Sequence, residues 1–338
     1  MDIKIAVVGL AHPHIYDFLN EALGLDGVRL TGIVEEDATT RLNASKRYGQ
    51  VPAFETMDDL LESVDVDLIA TAAVNNRKAD IIVNALKKGK HVISDKPLVT
   101  TMEDLERVKE AFREAGPNAR LCMLLTERYN PSLVTAKQVI DSGEIGEIVN
   151  CIALRPHRLA PSTRPLWMFN RKEYGGIIVD LAIHDIDILR WFTGSDIAKI
   201  FAAHHSNSRF RQFKEFEDNG EIFLALDNGS TAFIRVDWLT PDGYPHHGDC
   251  RVLVVGTKGQ VEARTIESRV EVFSDTHSPR EVPLCKRPST LAEDLIRSIL
   301  DPEYEPVIRA EDIFEATRVS LEARAMADTG DTPWTAKF

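Results

Sequence analysis

The chain has 338 residues, 43% hydrophobic and 28% charged, with 19 glycines and 16 prolines; this is an ordinary globular composition, long enough for two domains and neither disordered nor collagen-like. Forty Lys+Arg against 53 Asp+Glu leave a net charge of −13 with no basic cluster, so nucleic-acid binding and adhesion to anionic membranes lack their electrostatic footprint. Cys122, Cys151, Cys250 and Cys285 form no C-x-x-C pair, and there is neither a signal-peptide pattern nor an apolar run long enough to span a bilayer, which together point to the reducing cytoplasm.

From the amino terminus, short apolar runs alternate with amphipathic stretches: KIAVVGL, a helical segment to Leu23, VRLTGIVEE, a helix, DLIATAA, a helix through Lys88, then HVISD. That βαβαβαβ order predicts a doubly wound parallel sheet with helices on both faces. Gly89 stands where a helix end needs a left-handed residue. TTMEDLERVKEAFREAG reads as another helix, opened by a capping-box-like Thr101 and Asp104 and closed by Gly116-Pro117. Beyond residue 145 the period changes: EIVNCIALRPH, IAKIFAAHH, EIFLALDNGSTAFIRVDWL, CRVLVVGTKGQVEARTI and RVEVFS read as strands, with turns at Asn228-Gly229 and across Gly256–Gly259. The expected fold is α/β. A Rossmann-type dinucleotide-binding domain takes residues 1–122. Residues 123–338 form an α+β substrate-binding and oligomerisation domain on a predominantly antiparallel open sheet, and the last helix, around EDIFEATRVSLEARAMA, packs back on the first domain.

The first strand ends VVGLAHPH, which meets the dinucleotide fingerprint G-x-G-x-x-G only at Gly9; Ala11 and His14 take the other glycine positions. A plain strand-turn-helix junction therefore stays open beside a phosphate-binding turn whose backbone N–H groups need no basic side chain. Glu35 ends the second strand 26 positions after Gly9, where an acid bonds the ribose hydroxyls of a dinucleotide. With Glu36 beside it, a 2′-phosphate would be repelled, which favours NAD over NADP; otherwise both are solvated strand-end charges. Lys96 leaves the strand HVISD at its carboxyl end, where open α/β sheets bind ligands, and could hold an alkoxide unless it is simply a surface lysine. Between Gly175 and Gly194, Asp180, His184 and Asp187 share one face of an otherwise apolar helix. Buried ionisable groups need partners, so a functional cluster is expected over a lone core histidine. A metal site completed by His204-His205 or His246-His247 is the competing chemistry; no metal is expected.

Taken together these segments resemble the Gfo/Idh/MocA oxidoreductase family, whose members join a Rossmann domain to a predominantly antiparallel α/β domain. ALKKGKHVISDKPL is similar to the family's AL-x-x-GKHV-x-x-EKP, with Asp95 for Glu; RYNPSLVTAKQVIDSGEIGEI, from Arg128, resembles its RFNP stretch and following helix; GGIIVDLAIHDIDILRW resembles GG-x-x-x-D-x-G-x-H-x-x-D, with Ala182 for Gly. The resemblance implies that Lys96, Asp180 and His184 form the catalytic group. It also implies that Gly9, Ala11, His12, Glu35, Asn75, Asp95, Lys96 and Arg128 lie at the dinucleotide. After the DLIATAA strand, where the family shows T-P-N-x-x-H, this chain has Ala73-Val74-Asn75-Asn76-Arg77-Lys78 and keeps only Asn75.

The implied activity is hydride transfer between NAD(H) and a secondary alcohol or ketone of a sugar or polyol, with His184 as general base, Asp180 fixing its tautomer and Lys96 stabilising the oxygen. Two other outcomes on the same fold are a redox-neutral lyase or glycosidase and a non-catalytic sugar- and NAD-binding regulator. His157, Trp167, Asp187 and Tyr244 are candidate substrate contacts, with Arg155, Arg158, His246 and His247 in segments that could line the same cleft. An open sheet face calls for a second copy, so a homodimer or homotetramer is expected.

Overall fold

The computed structural model describes residues 2–330. In chain order the elements are β1 (Ile3–Leu10), α1 (His14–Ala22), β2 (Val28–Val34), α2 (Ala38–Arg47), β3 (Ala53–Phe54), α3 (Met57–Ser63), β4 (Leu68–Ala72), α4 (Lys78–Lys87), β5 (His91–Ser94), α5 (Met102–Ala115), β6 (Leu121–Met123), α6 (Pro131–Asp141), β7 (Ile148–Pro156), α7 (Arg171–Tyr174), α8 (Ile183–Thr193), β8 (Ile197–Ser206), β9 (Asn219–Leu226), β10 (Thr231–Asp237), β11 (Arg251–Gly256), β12 (Gly259–Arg264), β13 (Arg269–Ser274), β14 (Arg280–Glu281), α9 (Leu291–Leu300) and α10 (Ala310–Thr329). They gather into two compact units. One holds the chain up to Leu125 with Lys172–Tyr174 and Ser289–Glu315; the other holds Thr126–Arg171, Gly175–Pro288 and the chain from Ala316.

The first unit is built on six parallel strands in the order β3-β2-β1-β4-β5-β6. β4 is buried at every residue and β1 at most of them, as parallel strands covered on both faces must be. The strand order reverses between β1 and β4, and a crevice opens at the carboxyl ends of strands at such a switch point. Thr101 caps α5 by accepting the Asp104 N–H at 3.1 Å, but the Asp104 carboxylate takes the Thr101 hydroxyl at 2.9 Å, so the expected capping box is only half formed. A full one, Thr290 with Glu293, opens α9, which packs on α1.

The second unit holds an eight-stranded sheet, β14-β13-β12-β11-β7-β10-β9-β8, antiparallel throughout except for the parallel pair β7 and β10. The turn at Asn228-Gly229 joins β9 to β10, with Gly229 at φ +85. Ala232, Ile234 and Val236 of β10 are buried while Phe233 between them is exposed, the period-two pattern of a sheet with one covered face. The covering layer comes from α6 on β12 and β13, α8 on β7, and the turn before α8 on β10. Among the described residues no helix is long and apolar enough to cross a membrane.

Candidate active site

At the switch point of the parallel sheet a cleft of about 640 Å³ is lined by the turn after β1, the end of β2, and the loops after β3 and β4, a size suited to a small ligand or cofactor moiety. Gly9 makes it possible. Its φ is +82, and a Cβ there would lie 2.6 Å from the Ala73 Cβ and 2.7 Å from the Ala73 Cα, so no other residue lets the two turns approach this closely. Ala11 lines the same cleft. Glu35 ties its walls together: one carboxylate oxygen accepts the Leu10 N–H at 2.8 Å and the other the Asp37 N–H at 3.1 Å. Each oxygen has a second lone pair for a ligand hydroxyl. Glu36, Glu55 and Asp80 add to the rim, and each is paired with an arginine: Glu36 with Arg77 at 2.9 Å, Glu55 with Arg41 at 3.0 Å and Asp80 with Arg107 at 2.6 Å.

Where the fingerprint lacks its last glycine, the chain supplies a different fastening. His12 and His14 approach the two carboxylate oxygens of Asp95 at 3.2 and 3.0 Å, with their rings edge to face at 4.0 Å. Asp95 follows β5; its N–H donates to Thr71 O at 2.7 Å, its carbonyl accepts the buried Lys78 ammonium at 2.8 Å, and its carboxylate also accepts the Lys96 N–H at 2.9 Å. Burial alone would raise the Asp95 carboxyl, but the hydrogen bonds and charges of His12 and His14 outweigh it and hold it well below the usual carboxylate range. Burial pushes the His12 imidazole down against the pull of Asp95. Lys96 itself is buried. Asn75, in a short 3-10 turn, donates its amide to the Tyr174 carbonyl at 2.9 Å.

In the second unit the segment expected to be helical is one continuous run from Ile177, in which a π turn leads directly into α8. Ile178–Ala182 is a π turn that carries the buried Asp180, and α8 begins only at Ile183. A π turn inserts a residue into the helical ladder and recurs at functional sites; it replaces the simple i,i+4 relation expected between Asp180 and His184. His184 is half-buried. The carboxylates that follow it are held by two arginine forks. Arg128, just before α6, donates to Asp187 through Nε at 2.9 Å and Nη2 at 2.7 Å. Arg155 of β7 donates to Asp185 at 3.0 and 2.8 Å and through Nη1 to Glu127 at 2.7 Å. Burial works against the charge on Arg155, but the Asp185 and Glu127 carboxylates more than restore it.

The remaining sequence candidates are dispersed within this unit. His157 packs edge to face on Trp238 at 5.5 Å and on His247 at 4.6 Å. The Arg158 guanidinium bonds the backbone carbonyls of Pro241, Tyr244 and His246 and so orders the loop that carries Tyr244. Trp167 lies half-buried in the 3-10 turn Leu166–Phe169, its indole N–H buried with no partner. His205 bonds Asp328 at 2.7 Å and lies 3.5 Å from Glu217, and Arg171 pairs with both acids. Sequence reasoning missed Lys78, Asp185 and Glu127, and noted His14 only as a departure from the glycine fingerprint. Only Asp185 carried a signal, an acid next to His184 in an apolar helix.

The family model described as an oxidoreductase family with an NAD-binding Rossmann fold matches residues 3–121, and the Gfo/Idh/MocA C-terminal domain matches residues 133–262. The chain belongs to the Gfo/Idh/MocA oxidoreductase family. It is an oxidoreductase with an NAD-binding Rossmann fold, and the close approach of Gly9 to Ala73 leaves a cleft at the switch point with room for part of a dinucleotide. Among similar proteins, the scyllo-inositol 2-dehydrogenase (NAD+) of Bacillus subtilis strain 168 is 24% identical over 78% of this chain and 74% of its own length. An inositol 2-dehydrogenase of Salmonella paratyphi B is 27% identical over 79% and 76%. The crystal structure of a chain from Erwinia carotovora atroseptica SCRI1043 matches with a TM-score of 0.88 at 30% identity, over 96% of this chain and 99% of that one.

Proposed function

We propose that this oxidoreductase is an NAD-dependent dehydrogenase of a secondary alcohol in a polyol or sugar, running in the reverse sense on the ketone. The observation that carries the reading is the cleft closed by Gly9 on Ala73 with Glu35 at the end of β2, in a chain whose relatives include inositol dehydrogenases. Bound NAD supplies the hydride acceptor at its nicotinamide C4. His184 takes the hydroxyl proton as general base, Asp180 holds the other ring nitrogen and so fixes the tautomer, and Lys96 stabilises charge on the substrate oxygen. Glu35 takes the ribose hydroxyls, with Ala11, His12, Asn75 and Asp95 shaping the pyrophosphate turn. Glu35 at the end of β2 opposes a 2′-phosphate, which supports NAD over NADP, while Glu36, Glu55 and Asp80 are engaged by Arg77, Arg41 and Arg107. Asp187 has both oxygens engaged by Arg128, which supports a supporting role for that pair beside the site; His157, Trp167 and Tyr244 remain the proposed substrate contacts. Free cysteines, three of them buried, suit the cytoplasm, and a second copy on the open sheet face makes a homodimer or tetramer.

The test is NADH formation from NAD+ across a panel of inositols, polyols and sugars. Lys96→Ala and His184→Ala are expected to lower kcat at least about a hundredfold while NAD binding, measured by fluorescence, stays near the parental value. Parental turnover by either variant would reject the assignment, and product formed without NADH accumulation would favour redox-neutral cleavage.

A further inference from the structure

Two arginines from outside α8 close on two carboxylates of the His184 turn. On α8, His184 and Asp187 are i,i+3 neighbours on one face, and Asp185 follows His184 directly. All four partners are buried: Arg128, Asp187, Arg155 and Asp185 are at most 5% exposed. Removing four charges from water is costly unless each is fully bonded, and a pair of well-packed apolar side chains would hold a helix at least as firmly. Bidentate forks offer what apolar packing cannot, a fixed orientation of a planar group and a defined charge. Here the forks come from one short stretch, Glu127-Arg128, and from β7, so α8 is fixed in rotation and in register along its axis.

We infer that Arg128–Asp187 and Arg155–Asp185–Glu127 are positioning groups for His184: the forks set the rotation of the turn that carries the imidazole and cancel the two carboxylate charges beside it. The inference rests on the acid/base reading of His184 only for its effect on turnover. Charged groups packed around the two carboxylates include Arg128, Arg155 and Glu127. The Cys250 thiol near Arg155 is neutral, pushed up to about 12 by burial, and Arg190, further along α8, is engaged with Asp196. Asp180, the other group assigned to the imidazole, is unchanged in every variant below.

Arginine cannot give up its proton, so Asp187→Asn leaves an uncancelled positive charge near His184, and the double variant Arg128→Met/Asp187→Asn removes it. The readout is the NMR titration of the His184 imidazole in protein labelled with ¹³C-histidine and assigned by its loss in His184→Ala; it needs no substrate. In Asp187→Asn the midpoint is expected to move to lower pH by about half a unit or more, and in the double variant to return toward the parental value. A midpoint unmoved in a folded Asp187→Asn, or moved equally in both variants, overturns charge cancellation. Should Asp187→Asn fail to fold, the charge-neutral double variant decides alone: positioning lowers kcat at least about tenfold with NAD affinity retained, and parental kcat overturns it. A His184→Ala enzyme with parental turnover would defeat the acid/base reading instead, leaving the titration result standing.

Discussion

Gly9 is the residue on which the cofactor cleft depends, and its sequence context alone left it ambiguous. A lone glycine after a strand is compatible with any turn. What decides is Ala73, 64 positions away and 2.6 Å from where a Cβ would sit. Gly9→Ala is expected to weaken NAD binding at least about tenfold, since a positive φ costs a side chain about 1–2 kcal/mol before any clash is counted; unchanged affinity by fluorescence titration would remove Gly9 from the site. The His12–Asp95–His14 fastening was equally hidden, because nothing in VVGLAHPH names an acid 81 residues on as its partner. It also gives the fold an acid sensitivity whose sign can be worked out. The folded-state His12 value lies below the ordinary 6.5, so between those two values the unfolded chain binds more protons and stability falls as pH falls. Asp95 adds to this at lower pH: its folded value is depressed, so its contribution is full above the unfolded carboxylate range and is lost on the way down through the folded one. The melting temperature should therefore drop from pH 7 toward pH 4. Asp95→Asn should flatten the lower part of that fall, and a parallel curve for the variant would show that the carboxylate is not its source.

At the level of elements, long periodic segments were legible and short or irregular ones were not. β1, β2, β4 and β5 and the strands β7 to β13 of the mixed sheet announce themselves by apolar runs or alternation, whereas β3, β6 and β14, of two or three residues, are too short to show a period. The π turn at Ile178–Ala182 escaped because its one-residue insertion leaves the apolar composition of GGIIVDLAIHDIDILRW unchanged. α9 is a different case. STLAEDLIRSIL carries a readable T-x-x-E start, and the box forms, with the Glu293 N–H 3.0 Å from the Thr290 hydroxyl and the Thr290 N–H 2.6 Å from the Glu293 carboxylate. Thr290→Ala is expected to cost about 1 kcal/mol and, in a chain of this size, to lower the melting temperature by about 2–4 °C with kcat unaltered. A loss of activity without a loss of stability would mean that α9 does more than pack on α1.

On the scale of the whole molecule, the sheet orders follow from connection rules that the sequence obeys: strands alternating with helices give β3-β2-β1-β4-β5-β6, and hairpin-linked strands give the antiparallel run. The parallel pairing of β7 with β10 has no local signal, since it joins strands separated by α8 and two further strands. What the mixed sheet leaves exposed is consequential. Phe201 of β8 stacks on Phe223 of β9 at 5.1 Å, and Phe223 lies directly opposite Phe233 of β10. All three rings are 38–41% exposed on the uncovered face. A contiguous aromatic stripe across neighbouring strands marks a candidate interaction surface, and a symmetric second copy is the simplest cover. Phe223→Glu combined with Phe233→Glu keeps the outward positions of the period and leaves Ile222, Leu224, Ile234 and Val236 in the covered layer, so each chain should still fold. The added carboxylates bring like charge to the facing surfaces of two copies and so disfavour re-docking. Sedimentation velocity at micromolar concentration should show the parent as a dimer or tetramer and the double variant as a single chain with unchanged far-UV circular dichroism; a parent that sediments as a single chain, or a variant that stays assembled, would place the subunit contact elsewhere.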